Sequence, residues 1–187
     1  NKKVDKAVAE KITSFFNEVV LAPDFDEDAL EVLKTKKNLR VLRVPNFHEK
    51  AEDLALRRVR GGTLVQDLDI HTIDEKNVEF VGKNTPTEAQ VSDMLTAWEI
   101  VKIVKSNAIV VVKDGAMIGK GGGQTSRVEA MKIAIENAGE NANGAVIASD
   151  AFFPFADGIE IAGAAKIAGI IQPGGSIRDE EVFAKAD

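Results

Sequence analysis

Ala108-Ile109-Val110-Val111-Val112 is an unbroken apolar run that ends in three valines, and the turn pair Asp114-Gly115 follows it closely. A short run with no polar alternation suits a strand covered on both faces. Such a strand needs packing layers above and below its sheet, so the chain is directed toward helices stacked on a sheet. Asp114-Gly115 is a strong hairpin turn, and Ala116-Met117-Ile118-Gly119 reads as the return strand. Ala145-Val146-Ile147-Ala148 is a second run of the same kind, and Gly169-Ile170-Ile171 is a shorter one.

Helical patterns alternate with these runs. Val4, Ala7, Val8, Ile12, Phe15, Phe16, Val19 and Val20 fall at helical spacing, which predicts a helix from Val4 to Leu21 that is broken by Ala22-Pro23-Asp24. A short helix from Asp26 to Leu33 carries acids at its positive end. Asn38 to Val44 reads as a strand ending at Pro45, and Gly61-Gly62 between Val59 and Leu64-Val65 reads as a bend in a strand. Thr85-Pro86-Thr87-Glu88 predicts a helix start with Thr85 as cap, Pro86 in the first turn and Glu88 closing a capping box. That helix turns Val91, Met94, Leu95, Trp98, Val101 and either Ile103 or Val104 inward, and stops near Ser106. Further helices are expected from Arg127 to Ala138, from Gly158 to Ala168 and from Arg178 onward. The alternation predicts a layered α/β domain, and ligands in such sheets collect where strands end. The loops at Ser106, Gly121, Ser149 and Pro173 are therefore the candidate site.

Composition removes several function classes. The 187 residues suffice for one sizeable core, so a single domain is expected. A formal net charge of −6 with interspersed signs argues against nonspecific binding to nucleic acid or anionic membrane. With no cysteine, thiolate nucleophiles, disulfides and Cys-ligated zinc are excluded. His48 and His71 stand far apart, outside any ligand spacing, and read as surface residues. The sequence shows neither a signal-peptide pattern nor an apolar run of bilayer length, so a soluble cytoplasmic protein is expected.

Within the candidate loops each motif has two readings. Ser149-Asp150-Ala151-Phe152-Phe153-Pro154-Phe155-Ala156-Asp157 places three of the chain's nine Phe in four positions. These rings either complete a core at a strand end or sandwich a flat heterocycle whose ring nitrogens an Asp can meet. Asn107 either satisfies backbone groups or orients a carboxamide or a transferred acyl oxygen. Arg127 is either solvated or a carboxylate clamp. Asp150 and Asp157 also fit as helix caps, Asp157 especially, before Gly158. Gly115 to Lys120 is one residue short of a Walker A loop, and Gly119 to Gln124 has Gln at the third glycine of a dinucleotide fingerprint. The glycine loop is then either a source of bare amides for an anion or a turn before a capped helix.

Four segments in order carry a resemblance: Lys105-Ser106-Asn107-Ala108-Ile109-Val110, Gly121 to Arg127, Ser149 to Phe155 and Gln172 to Val182. Val19 to Phe25 and Lys36 to Leu42 add to it. Together they resemble the transformylase part of the bifunctional enzymes that join aminoimidazole carboxamide ribonucleotide (AICAR) formyltransferase to IMP cyclohydrolase in purine synthesis. The resemblance implies a three-layer, cytidine-deaminase-like α/β/α fold with a mixed sheet. It implies formyl transfer from 10-formyltetrahydrofolate, as cosubstrate, to AICAR. Asn107 then corresponds to the catalytic Asn that holds the AICAR carboxamide and steadies the transfer, and Phe152 to the ring stacked near the AICAR base. Arg127, Pro154, Phe155 and Asp157 correspond to folate contacts, and Asp150 to a neighbour of a potassium site. The family often carries Arg where this chain has Ala156. The resemblance further implies a homodimer and no zinc. The chain reads as the second half of the transformylase region, without the cyclohydrolase domain or the Lys-His pair of the first half, and is expected to be inactive alone. The second reading is a noncatalytic folate- or nucleotide-binding module that works with a separately encoded partner.

Overall fold

The computed structural model describes residues 2–45 and 54–187, so His48 lies outside the described residues. The chain's contacts gather into two compact units, Asn1–Ile70 and His71–Asp187.

In the first unit, Asp5 caps helix α1 (Lys6–Thr13) by accepting the Val8 amide at 2.8 Å. The helix expected to reach Leu21 stops at Thr13. Side chains of Thr13, Ser14 and Asn17 turn back onto the carbonyls of Glu10, Lys11 and Ile12 and terminate it. Val19 to Ala22 instead form strand β1 (Val19–Ala22), with Val20 and Ala22 inward and Val19 and Leu21 outward, the period of two that a strand imposes. Helix α2 (Glu27–Lys34) follows, and strand β2 (Arg40–Arg43) pairs parallel with β1. Val4, Ala9, Val20, Ala22, Phe25, Ala29 and Leu33 form this unit's core. The expected bend at Gly61 is a full reversal. Strands β3 (Leu54–Val59) and β4 (Gly62–Asp67) make an antiparallel hairpin, and Gly61 supplies the turn's positive φ of 88°.

In the second unit, helix α3 (Glu88–Val101) starts two residues later than expected. Thr87 and Gln90 form the capping box: the Thr87 hydroxyl accepts the Gln90 amide at 3.3 Å, and Gln90 Oε1 accepts the Thr87 amide at 2.8 Å. The helix ends at Val101 rather than near Ser106. Beyond it, Val104 packs inward and Ile103 is exposed. Strands β5 (Ile109–Lys113) and β6 (Ala116–Gly121) form the expected hairpin, with positive φ at Asp114 and Gly115. Asp93 of α3 accepts both turn amides, at 2.9 and 2.7 Å. Ser126 caps helix α4 (Arg127–Ala138). Strand β7 (Val146–Ser149), helix α5 (Asp157–Ala164), strand β8 (Gly169–Ile171) and helix α6 (Asp179–Ala186) complete the unit. Helix α5 ends at Ala164, short of the expected Ala168, and Lys166 takes a left-handed φ of 58° in the turn to β8.

The four strands form one mixed sheet in the order β6-β5-β7-β8, with β5 antiparallel to both neighbours and β7 parallel to β8. Alternate residues of β5 divide between two cores. Ile109 and Val111 pack with Ala130, Met131 and Ala134 of α4 and Ile159 and Ala162 of α5. Val110 and Val112 pack with Met94, Ala97 and Val101 of α3. Helices thus cover both faces of the sheet, which is why the run carries no polar alternation. Glycines set the spacing on one side: a Cβ on Gly119 or Gly121 would lie 2.1 Å from the Ala134 carbonyl oxygen or 2.0 Å from that of Ala130, so the backbone of α4 rests on β6.

Candidate functional site

Strand register assembles the site. Ile109 at the start of β5 lies opposite both Ser149 at the end of β7 and Gly121 at the end of β6. Ala148 pairs with Ile171 at the end of β8. The residues just outside these positions therefore meet at one end of the sheet, and they include Asn107, the loop from Gly122 to Ser126, and the loop from Asp150 to Asp157. Gln172, which leads into the Pro173 turn, reaches the same place, because its Oε1 accepts the Phe153 amide at 2.7 Å.

Arg127 is the hub of this end. Its Nη1 donates to Asp150 Oδ1 at 2.5 Å and to Ser149 Oγ at 2.9 Å, and its Nη2 donates to Asn107 Oδ1 at 3.0 Å. The reading of a solvated Arg gives way to a partly buried ion pair, with side-chain exposures of 11% for Arg127 and 14% for Asp150. Asp150 caps no helix. Its Oδ1 also takes the Ala108 amide at 3.0 Å, and its own amide donates to the Ala108 carbonyl at 3.2 Å, so it ties β5 to the loop after β7. Burial opposes ionisation of Asp150. Hydrogen bonds from the Ser106 side chain, the Ala108 amide and Arg127, together with the guanidinium charge, outweigh it and hold the carboxyl below the usual range. At neutral pH the pair is ionised and mutually compensated.

Two amides of the glycine loop are already engaged. The Gly123 amide donates to the Lys105 carbonyl, and Gln124 and Asn107 exchange backbone hydrogen bonds at 3.3 and 3.4 Å. Asn107 Nδ2 donates to the Gln124 carbonyl at 3.0 Å. An amide has two N–H donors and two lone pairs on its oxygen. Asn107, which also lines a groove, therefore retains one of each.

That groove encloses about 480 Å³, and Asn107, Arg127, Phe152, Phe153, Pro154, Phe155 and Asp157 are among its lining residues. Each residue singled out as a substrate or folate contact thus borders one depression, with Asp150 just behind it. The three rings divide as their environments differ. Phe152 and Phe155 are 40% and 48% exposed, whereas Phe153 is 2% exposed and sits in the core against Gly158. Asp157 is the first residue of α5 rather than its cap, and its carboxylate accepts the Gly158 amide at 2.8 Å. Two participants were not singled out from sequence. Ser149 is fully buried at the hub, and Arg178 places its guanidinium 4.7 Å from the Phe155 ring centre. A signal for Ser149 did exist: it falls on the same face of β7 as the core residue Ile147, two positions earlier. His71 is exposed and away from the groove. Among the described residues no group of three or more His, Asp or Glu gathers as a metal cluster, and no helix is long and apolar enough to cross a membrane.

Comparison with known proteins gives concordant results. A family model described as the AICARFT/IMPCHase bienzyme matches residues 1–137. The bifunctional purine biosynthesis protein PurH of Anoxybacillus flavithermus is 51% identical over all 187 residues, and that of Bacillus subtilis is 48% identical over the same span. The PurH of Magnetococcus marinus is 48% identical over an alignment of 199 residues. The chain covers 37%, 36% and 37% of these proteins, a little over a third of their length. Among solved structures, Acinetobacter baumannii RibD shows a slight likeness, with a TM-score of 0.36 and 20% identity over 50% of this chain and 32% of that one.

Proposed function

The chain belongs to the AICARFT/IMPCHase bienzyme family, and from that membership we propose that it forms the second half of an AICAR formyltransferase region. The reaction is transfer of a formyl group from 10-formyltetrahydrofolate to the amine of AICAR, in the synthesis of IMP. The amine nitrogen attacks the formyl carbon, the bond from that carbon to the folate nitrogen breaks, the amine loses a proton and the folate nitrogen gains one, so that tetrahydrofolate leaves. The observation that carries this reading is the Asn107 amide, lining an aromatic groove with one donor and one acceptor unused. A carboxamide presents the complementary pair, and the same N–H can stabilise charge developing on a transferred acyl oxygen. Phe152 offers a face to a flat imidazole base, and Pro154 and Phe155 offer an apolar wall to a pterin. Asp157 supplies the acceptor for ring N–H groups there. Arg127 reaches the folate only through N–H groups its three anchors leave over.

The groove-lining residues that ionise are Arg127 and Asp157, with Asp150 behind them already paired. Among the described residues no His or Lys lines the groove, so this segment is read as binding and orienting the reactants, with the proton acceptor supplied by another part of the protein. The same observation favours the second reading, a folate- or nucleotide-binding module completed by a partner. Asp150, whose Oδ1 carries Arg127 and the Ala108 amide, is proposed as a neighbour of a potassium site. A cytidine-deaminase-like three-layer fold, a homodimer and a cytoplasmic location accompany the family assignment as proposals.

In the complete bienzyme carrying this segment, Asn107→Ala is expected to lower kcat for formyl transfer by about 10²- to 10³-fold, the range for loss of one such donor. Formation of tetrahydrofolate reports the rate, and a kcat equal to that of the unsubstituted protein would remove Asn107 from the reaction.

A further inference from the structure

Four hydrogen bonds at the hub run outward from Arg127 in two arms, one through Ser149 and one through Asn107. Ser149 Oγ donates to the Ala151 carbonyl at 2.6 Å, so it meets Arg127 Nη1 with a lone pair, at 2.9 Å. Arg127 Nη2 donates to Asn107 Oδ1, and Asn107 Nδ2 donates to the Gln124 carbonyl, each at 3.0 Å. The polarity is forced at both ends of the amide, because a guanidinium has no acceptor and a carbonyl has no donor. A flip of the Asn107 amide would set its NH₂ against the guanidinium and its oxygen against the Gln124 carbonyl. Asp150 supplies the charge that keeps Arg127 buried, but Asp150 alone leaves the guanidinium free to pivot about one oxygen. Ser149, fully buried at the end of β7, gives it a second anchor on a rigid element.

We propose that Ser149 is a positioning residue: acting through Arg127, it sets the orientation of the Asn107 amide and links it to the backbone of the loop that carries Phe152. The consequence for catalysis rests on the formyl-transfer reading of the groove; the link itself does not. A shift of the aromatic loop at Ala151 is thereby transmitted to the amide that would face the substrate carboxamide. The step is one of geometry alone, and no bond is made or broken by Ser149.

Ser149→Ala removes the anchor and leaves the Arg127–Asp150 charges paired. In the 187-residue chain, the side-chain NH₂ signals of Asn107, assigned by their loss in Asn107→Asp, are expected to shift, and their exchange with water is expected to quicken several-fold. Unchanged signals and unchanged exchange would overturn the proposal. If Ser149→Ala does not fold, Ser149→Cys keeps a side chain of similar shape but only a weak donor and acceptor, leaves Arg127 and Asp150 in place, and the same two outcomes decide. In the complete bienzyme, Ser149→Ala is expected to reduce kcat for formyl transfer by up to about 100-fold, as for a group misplaced by ~1 Å. KM for each substrate is expected to stay within about twofold, the pattern of an interaction that matters only in the transition state. A raised KM with unchanged kcat would count against a positioning role. If the unsubstituted bienzyme transferred no formyl group, the formyl-transfer reading would fall, and the NMR measurement would still judge Ser149.

Discussion

Asp150 shows how one carboxylate can hold a strand end, a loop and a buried cation together. Its folded pKa is depressed, so its stabilising contribution is complete above the unfolded value of about 3.9 and is lost as pH falls through the lower folded value. Asp150→Asn leaves the Arg127 charge uncompensated. At neutral pH it is expected to cost about 2 kcal/mol, below the range for breaking a fully buried pair because both partners keep some contact with water. Thermal unfolding of both proteins between pH 7 and pH 3 checks this. The stability gap should be flat above about pH 5 and shrink below about pH 4, where the wild-type carboxyl also gains its proton. A gap that stays constant down to pH 3 would show that the charge of Asp150 is not what matters. Little of this was legible in sequence. An Asp after a strand reads as well for a cap as for an ion pair, and nothing local names Arg127 as its partner.

At the scale of elements, the contact between α4 and β6 depends on missing side chains. A Cβ at Gly121 would lie 2.0 Å from the Ala130 carbonyl oxygen, and a backbone atom held in a helix cannot move aside. Gly121→Ala is expected to lose about 3 kcal/mol, the upper end for overpacking. Gly115, with a φ of 73° and nothing near a Cβ, separates sterics from conformation; there Ala is expected to cost about 1 kcal/mol. Urea midpoints of the two variants give the comparison, and equal losses would refute the close-approach account. Elements defined by continuous signals were read correctly: β5 from its apolar run, the hairpin turn from Asp114-Gly115, and α4 from Arg127 to Ala138. Elements that depended on where a helix stops were not. The apolar positions of β1 also fit a helical period, and only the side chains of Thr13, Ser14 and Asn17, folded back onto α1, separate the two. The capping box moved from Thr85–Glu88 to Thr87–Gln90 because two Thr lie two residues apart, each with a suitable residue three positions on.

Across the whole molecule, protection is expected to follow burial. Amides of β5 and β7, the central strands with helices on both faces, should exchange slowest, whereas those of the exposed β3–β4 hairpin should exchange through small local openings. Hydrogen exchange read by mass spectrometry tests this, and equal protection of the hairpin and β5 would contradict it. The amino-acid sequence by itself determined the α/β class, the buried strands, the four loops of interest and the family, because apolar period, turn chemistry and motif order are short-range properties. Only the tertiary structure decided what those loops do to one another. Arg127 meets Asn107, Ser149 and Asp150 across 20, 22 and 23 residues, and Asp150 meets Ala108 across 42. Those meetings follow from strand register, which places Ile109 opposite Ser149 and Gly121, and register is settled by the packing of both sheet faces at once. All three rings border the groove, but Phe153 is buried in the core while Phe152 and Phe155 stay exposed: neighbouring rings of identical chemistry are sorted by what lies opposite each of them.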